Sequence, residues 1–141
     1  YGSAWIWALK GGAHHKARRL ISGNEIQPAI IAMPSDGLWG DGSAYFSHHG
    51  YHFDLWIVED VPLAIRENIP AAGSTSPICI GGLSMGGYGA LMLGARFPQV
   101  FSAISGHSSI TQLHQMTQFV EESLEAYERE AELPNVIEAM V

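Results

Sequence analysis

The stretch "ICIGGLSMGGYGAL", residues 78–91, constrains the fold of this chain more than any other. Its opening apolar run, residues 78–81, predicts a short buried strand, and the nearly all-apolar residues 85–97 predict a buried helix. Residues 82–86, between the two, fit the pattern G-x-S-x-G around Ser84. A turn from a strand into a helix is the context that this pattern requires in hydrolases, where it forms the nucleophile elbow.

Such a turn would strain the backbone at Ser84 and bring the residues two before and two after it close together. A Cβ at either place would clash, and Gly82 and Gly86 would avoid both clashes. The serine Oγ would then lie near the N-terminus of the following helix, whose dipole favours negative charge. The backbone N–H of Met85 is therefore a candidate donor to the oxyanion of a tetrahedral intermediate.

Two other interpretations of the same stretch fit less well. A glycine-rich turn with an incidental serine would not explain why a strand, extra glycines and a buried helix all surround it. A phosphate-binding loop of the type G-x-x-x-x-G-K-[ST] needs a lysine, and none lies nearby.

The other predicted elements alternate strands with helices. They are a helix over residues 13–22, a buried strand over 28–33, a long loop over 34–54, a helix over 54–69, a strand over 100–105 and an amphipathic helix from 111 onwards. Pro62 predicts a kink or a restart of its helix with Asp60 as N-cap, and Gly106 is expected to end its strand. This alternation predicts βαβ units and a parallel sheet, hence an α/β fold.

Composition excludes several classes of partner. The chain has 141 residues, about one domain, with 47% hydrophobic and 15% charged residues. Its net charge of -7, with only seven Lys and Arg, argues against nucleic acid. No apolar run approaches the roughly 20 residues of a membrane span. The single cysteine, Cys79, is predicted to be buried and permits a reducing compartment. No signal peptide is visible, and a cytoplasmic location is favoured.

A histidine-rich segment, "SHHGYHFD" over residues 47–54, raises the question of a metal site. Its H-x-x-H spacing with Asp54 nearby is loose and matches no metal-binding motif. We therefore predict no metal ion and no other cofactor, and interpret these histidines as polar loop residues near the cleft.

Three residues are candidates for the substrate pocket. Trp39 and Tyr45 lie in the loop after the strand predicted at 28–33, and His107 follows the strand predicted at 100–105. All three would lie at the carboxyl edge of the sheet, where open α/β sheets bind ligands. The alternative for the two aromatic residues is simple packing under a long loop.

Several motifs of the sequence resemble those of a known family. "GGLSMGGYGAL", followed by "FPQVFSAISGHS", is similar to the putative-esterase branch of the α/β-hydrolases, which includes esterase D, S-formylglutathione hydrolase, short-chain acyl esterases and the mycolyltransferases. "IIAMPSDGLWGDGSAYF" and "DLWIVEDVPLAIRENIP" are similar to the region before the elbow, so the resemblance covers most of residues 1–110. It implies an α/β-hydrolase fold, Ser84 as the nucleophile and Met85 as an oxyanion donor. A second donor is expected to be absent or to lie at the very start of the chain.

The residues of a complete catalytic triad are missing after Ser84. The hydrolase triad follows the chain order Ser, then Asp or Glu, then His. No Asp follows Ser84, and both later histidines, His107 and His114, precede the first Glu at position 121. We therefore expect residues 1–141 to be the central part of one α/β-hydrolase domain. It would be truncated at both ends, lacking N-terminal strands and the C-terminal third, and inactive alone, with the acid and histidine beyond Val141.

The sequence thus predicts a serine esterase that cleaves small acyl esters or thioesters through an acyl-enzyme on Ser84. Three alternatives stay open: an acyltransferase of the same fold, a hydrolase using a metal held by the cluster from His48 to Asp54, and a non-catalytic binding module. The predicted partner is a small-molecule acyl ester or thioester, with neither nucleic acid nor membrane, and the oligomeric state stays open.

Overall fold

The structure, a computed structural model, describes residues 3–37, 42–48, 50–118, 136 and 140. The chain divides into two compact units, Tyr1–Ser35 and Asp36–Val141. Within the described residues, no helix is both long and apolar enough to cross a bilayer.

The first unit is helical. It contains α1 (Trp5–Leu9) and α2 (Ala13–Ser22), and α2 has the bounds that the sequence predicts. The prediction of a buried strand over residues 28–33 is wrong, because this segment has no regular secondary structure and Ile31 is 45% exposed. A strand needs a backbone partner, and the segment pairs with none of the described residues.

The second unit contains the remaining described elements. They are β1 (Ser47–His48), β2 (Tyr51–His52), α3 (Phe53–Leu55), a π-helical turn (Trp56–Asp60), α4 (Val61–Asn68), β3 (Ile78–Leu83), α5 (Met85–Arg96), β4 (Phe101–His107) and a 3₁₀-helix (Leu113–Gln118). β1 and β2 form a small antiparallel hairpin inside the region predicted as a loop. β3 and β4 pair in parallel with α5 connecting them, so the chain has a partial α/β fold.

The irregularity expected near Pro62 is a π-helical turn. The N–H of Val61 donates to the carbonyl of Trp56, five residues earlier, so the helix continues from α3 into α4 without a break. Proline has no N–H to donate, and a wider turn accommodates it without ending the helix. Asp60 immediately precedes α4, where the sequence predicts the N-cap, but it is itself helical and its side chain makes no capping hydrogen bond, so it does not cap this helix.

The β3–α5–β4 unit carries the turn that the sequence analysis singled out. Leu83 pairs with His107 and Gly82 with Gly106, so β4 extends past Gly106 and that residue does not end the strand. A Cβ at position 106 would lie 2.9 Å from the Leu91 side chain. The glycine therefore lets α5 approach the sheet closely.

The two faces of the β3–β4 sheet differ. On one face, Ile57 and Val58 of the π-helical turn pack with Leu93 of α5 and Phe101 of β4 in a buried core. Among the described residues, the other face is exposed; it presents Cys79, Leu83, Ala103, Ser105 and His107. The predicted burial of Cys79 is wrong, because alternate residues of a strand point to opposite faces.

A second core lies on the other side of α5. It joins Phe46, Tyr88, Met92, Met116 and Val136. Met116 belongs to the 3₁₀-helix, which occupies the start of the amphipathic helix predicted from residue 111. The rest of that predicted helix, residues 119–135, lies outside the described residues.

Candidate active site

Ser84 joins β3 to α5 in a backbone conformation that a side chain disfavours. Its φ of 57° and ψ of -119° are the mirror image of an extended residue, a region that glycine alone enters freely. Two backbone hydrogen bonds hold the turn: the N–H of Ser84 donates to the carbonyl of His107 at 2.9 Å, and the N–H of Tyr88 donates to the carbonyl of Ser84 at 3.0 Å. The turn is thus fixed by the end of β4 on one side and by α5 on the other.

The two glycines flanking this turn have different surroundings. A Cβ at position 82 would lie 2.0 Å from the carbonyl oxygen of Gly86 and 2.8 Å from the nitrogen of Gly87, so only glycine fits at position 82. A Cβ at position 86 would meet nothing closer than the Tyr45 hydroxyl at 3.7 Å, an ordinary contact. The clash expected at Gly82 is confirmed, and the one expected at Gly86 is wrong, because a Cβ there would point towards Tyr45 and away from β3.

The serine hydroxyl is accessible at this junction. Ser84 is exposed, and its side chain makes no hydrogen bond to any other described residue. The N–H of the next residue, Met85, has no acceptor among the described residues, as expected in the first turn of a helix. An accessible hydroxyl therefore lies next to a backbone donor at the positive end of a 12-residue helix.

The loop before β1, of which the structure describes residues 36–37 and 42–46, packs against this first turn of α5. Tyr45 is half-buried, and its ring fills the space beside Gly89, where a Cβ would lie 2.2 Å from the nearest ring carbon. Burial raises the pKa of the Tyr45 phenol to about 12, and the Asp36 carboxylate adds to this effect. The phenol is therefore neutral and able to donate a hydrogen bond at physiological pH.

The same loop contains a set of hydrogen bonds that the sequence analysis did not find. The N–H of Ser43 donates to Asp36 Oδ2 at 3.0 Å, and the Ser43 hydroxyl donates to the Asp36 carbonyl at 2.5 Å. The hydroxyl also accepts from the N–H of Tyr45 at 3.1 Å. Ser43 is 0% exposed. The serine and aspartate in the glycine-rich stretch 36–43 were the only signal for this arrangement.

The sequence-predicted site residues have the following positions. Ser84, Met85 and Tyr45 lie around the first turn of α5, and His107 lies next to it, at the end of β4. The His107 side chain is exposed, and its Nε2 lies 3.0 Å from the Ser105 hydroxyl. Trp39 lies outside the described residues.

The histidine-rich segment contributes a buried ion pair. Asp54, with a side chain only 4% exposed, pairs with Arg96 at 3.1 Å between Oδ2 and Nη1. Its other oxygen accepts from the Ser47 hydroxyl at 2.8 Å, and that hydroxyl lies 3.1 Å from His52 Nδ1. Both oxygens of this carboxylate are thus engaged by the protein. Among the side chains that the structure describes, no three of His, Cys, Asp or Glu lie close enough to hold a metal ion; this set does not include those of His48 and His49.

A groove of about 540 Å³ opens at the opposite end of the strands. Its lining includes Leu63 and Arg66 of α4, together with Ile78 and Val100 near the starts of β3 and β4. Ser84 follows the end of β3, so this groove is separate from the turn that carries the serine.

Helices on a parallel sheet, with a strained and accessible serine between strand and helix, define an α/β protein of the class that the sequence predicts. The chain belongs to the esterase family, because the family model described as "Putative esterase" matches residues 5–138. The resemblance stated from the sequence is therefore confirmed, and the family acts on ester substrates. Neither the curated proteins nor the solved structures contain a match to the chain.

Proposed function

We propose that this protein is a serine esterase that cleaves esters or thioesters of small acids through an acyl-enzyme on Ser84. The observation that carries the proposal is the conformation of Ser84, whose φ of 57° at the β3–α5 junction leaves its hydroxyl exposed and without a hydrogen-bond partner among the described residues. Strained backbone of this kind is concentrated at active sites. Residues 82–86 would then form a nucleophile elbow.

In the proposed reaction, the Ser84 Oγ attacks the carbonyl carbon of the ester while a histidine accepts its proton. The carbonyl oxygen becomes an oxyanion, which the N–H of Met85 and the positive end of α5 stabilise. The intermediate then expels the alcohol or thiol, which receives the proton from the histidine. Water next attacks the acyl-enzyme by the same route, which releases the acid and restores the serine.

The turn at Ser84 supplies neither the acid nor the histidine of the proposed triad. No Asp follows Ser84, and both later histidines precede the first Glu. We therefore propose that residues 1–141 are the central part of a longer hydrolase domain, whose remaining residues supply both groups. Residues 1–141 alone would then be inactive, because removing triad members costs several orders of magnitude in rate.

The proposed substrate pocket lies beside the first turn of α5. Tyr45 and His107 would line it, and Trp39 stays a proposed third member. Within this mechanism an acyltransferase would differ only in using an alcohol in place of water. The Asp54–Arg96 pair argues against the metal-dependent alternative, because that carboxylate already has two protein partners.

The test is reaction of the full-length protein with a fluorophosphonate probe, followed by peptide mapping. We expect one adduct, on Ser84, which is absent from the Ser84→Ala variant and unaffected by EDTA. The matched control is Ser102→Ala, an exposed serine of β4 near the other end of the sheet, which should react like the wild type. Persistent reaction of Ser84→Ala would overturn the assignment. Ester hydrolysis that EDTA abolishes would favour the metal-dependent alternative, and absence of both reaction and hydrolysis would favour a binding module.

A further inference from the structure

The first turn of α5 is weak by its own sequence. It begins Met-Gly-Gly-Tyr-Gly, and glycine is among the poorest helix formers. Ser84 occupies the N-cap position, but its side chain makes no capping hydrogen bond. A first turn of this composition would fray in isolation, yet an oxyanion donor has to be held within a few tenths of an ångström. Support for Met85 must therefore come from outside the helix.

The loop before β1 supplies contacts at two points of this turn. The Tyr45 ring fills the recess beside Gly89, and the Tyr45 hydroxyl faces Gly86. The thioether of Met85 lies against Gly42, where a Cβ would be 2.5 Å from its sulfur. The loop thus contacts both the residue that carries the candidate donor and the glycines that follow it.

The loop is itself strained where it makes these contacts. Ala44 and Tyr45 have φ values of 51° and 63°, two consecutive left-handed residues that are not glycine. The hydrogen bonds between Ser43, Asp36 and the N–H of Tyr45 hold this conformation, and Ser43 is fully buried. Strain of this kind persists only where the surroundings fix it.

We propose that Asp36 and Ser43 are positioning residues that act through Tyr45 and Met85 to hold the Ser84–Met85 turn in its reactive geometry. This inference rests on the proposed function, and it assigns no contact with substrate to either residue. Loss of the Ser43 hydroxyl would release the left-handed turn, withdraw the Tyr45 ring from Gly89 and free the first turn of α5. The chemical step would slow by a larger factor than binding of the ligand weakens, because Tyr45 also lines the proposed pocket.

The test measures how fast the fluorophosphonate inactivates the full-length protein, separating the limiting rate constant kinact from the binding constant KI. We expect Ser43→Ala to lower kinact at least tenfold, with a smaller factor of change in KI than in kinact. Tyr45→Phe keeps the ring and should retain at least half of kinact, whereas Tyr45→Ala should lose as much as Ser43→Ala. Gly73→Ala, in an exposed loop, is the control and should change neither constant.

A second variant keeps the test decisive where Ser43→Ala fails to fold. Gly89→Ala introduces a Cβ that would displace the Tyr45 ring, although alanine itself favours the helix. It should lower kinact at least tenfold alone and add nothing to Tyr45→Ala in the double variant. A kinact within twofold of the wild type for Gly89→Ala and Tyr45→Ala would overturn this inference. Failure of the wild type to react at Ser84 would instead overturn the proposed function.

Discussion

Two short apolar segments of this chain, residues 28–33 and 78–81, differ in structure although the sequence predicts a buried strand for both. The first, "PAIIAM", is exposed and pairs with none of the described residues. The second lies in β3, which pairs in parallel with β4 and packs against α5. Composition does not separate the two segments. The second has a partner strand about twenty residues further along the chain, together with a helix that covers one of its faces.

This difference shows that an apolar run supplies only one of the conditions for a strand. The backbone of the run also needs a neighbouring strand, and the register of that neighbour decides which side chains are buried. In β3 the register is fixed as far as Leu83, where the partner strand ends at His107 and its carbonyl receives the N–H of Ser84. The strained turn thus depends on the same pairing that residues 28–33 lack.

The largest effect is expected from replacing Gly82, near the end of β3. Gly82→Ala should lower the free energy of unfolding by about 4 kcal/mol or more, because the new Cβ would overlap the backbone of Gly86 and no side-chain movement relieves it. Urea denaturation of the full-length protein, followed by circular dichroism, measures this change.

The matched control is Gly86→Ala, on the helix side of the same turn. Its Cβ would make only an ordinary contact with Tyr45, and alanine favours the helix, so we expect a change within about 1 kcal/mol. Equal destabilisation by both substitutions would contradict the difference between the two sides of the turn that the structure shows.

A smaller effect is expected from replacing one isoleucine in each of the two segments. Ile80→Ala should lower the free energy of unfolding by about 2 to 3 kcal/mol, because Ile80 packs against the core formed with Leu93 and Phe101. Ile31→Ala should change it by less than about 0.5 kcal/mol, because Ile31 is nearly half exposed and outside both cores. Thermal and urea unfolding of both variants give the comparison. A loss of 2 kcal/mol or more for Ile31→Ala would indicate that residues 28–33 are a buried strand in the full-length protein.

Local signals predicted the helices best. α2 has its predicted bounds, and α5 ends one residue earlier than predicted, because helix-forming residues and a glycine or proline beyond the end act over a few positions. The G-x-S-x-G pattern likewise predicted where the strained turn lies. These features depend on residues close in sequence, so one sequence is enough to locate them.

Features that depend on distant contacts were not predictable in the same way. Cys79 is exposed because nothing among the described residues covers its face of the sheet. Gly106 lies within a strand because it pairs with Gly82 of β3. The hydrogen bonds that Ser43 donates to Asp36 accompany two left-handed residues, Ala44 and Tyr45, that no propensity favours. In each case the feature depends on atoms of another element or on an uncommon backbone conformation.

The proposed function requires Ser84 to have a backbone conformation that suits glycine although it carries a side chain. The most direct test compares the free energies of unfolding of Ser84→Gly and Ser84→Ala in the full-length protein. Both variants remove the hydroxyl, but only the first relieves the strain of a positive φ. We predict that Ser84→Gly is more stable than Ser84→Ala by about 1 kcal/mol, after allowance for the greater freedom of glycine in the unfolded chain. Equal stability, or greater stability of Ser84→Ala, would mean that the backbone at position 84 is relaxed and would contradict the proposed function.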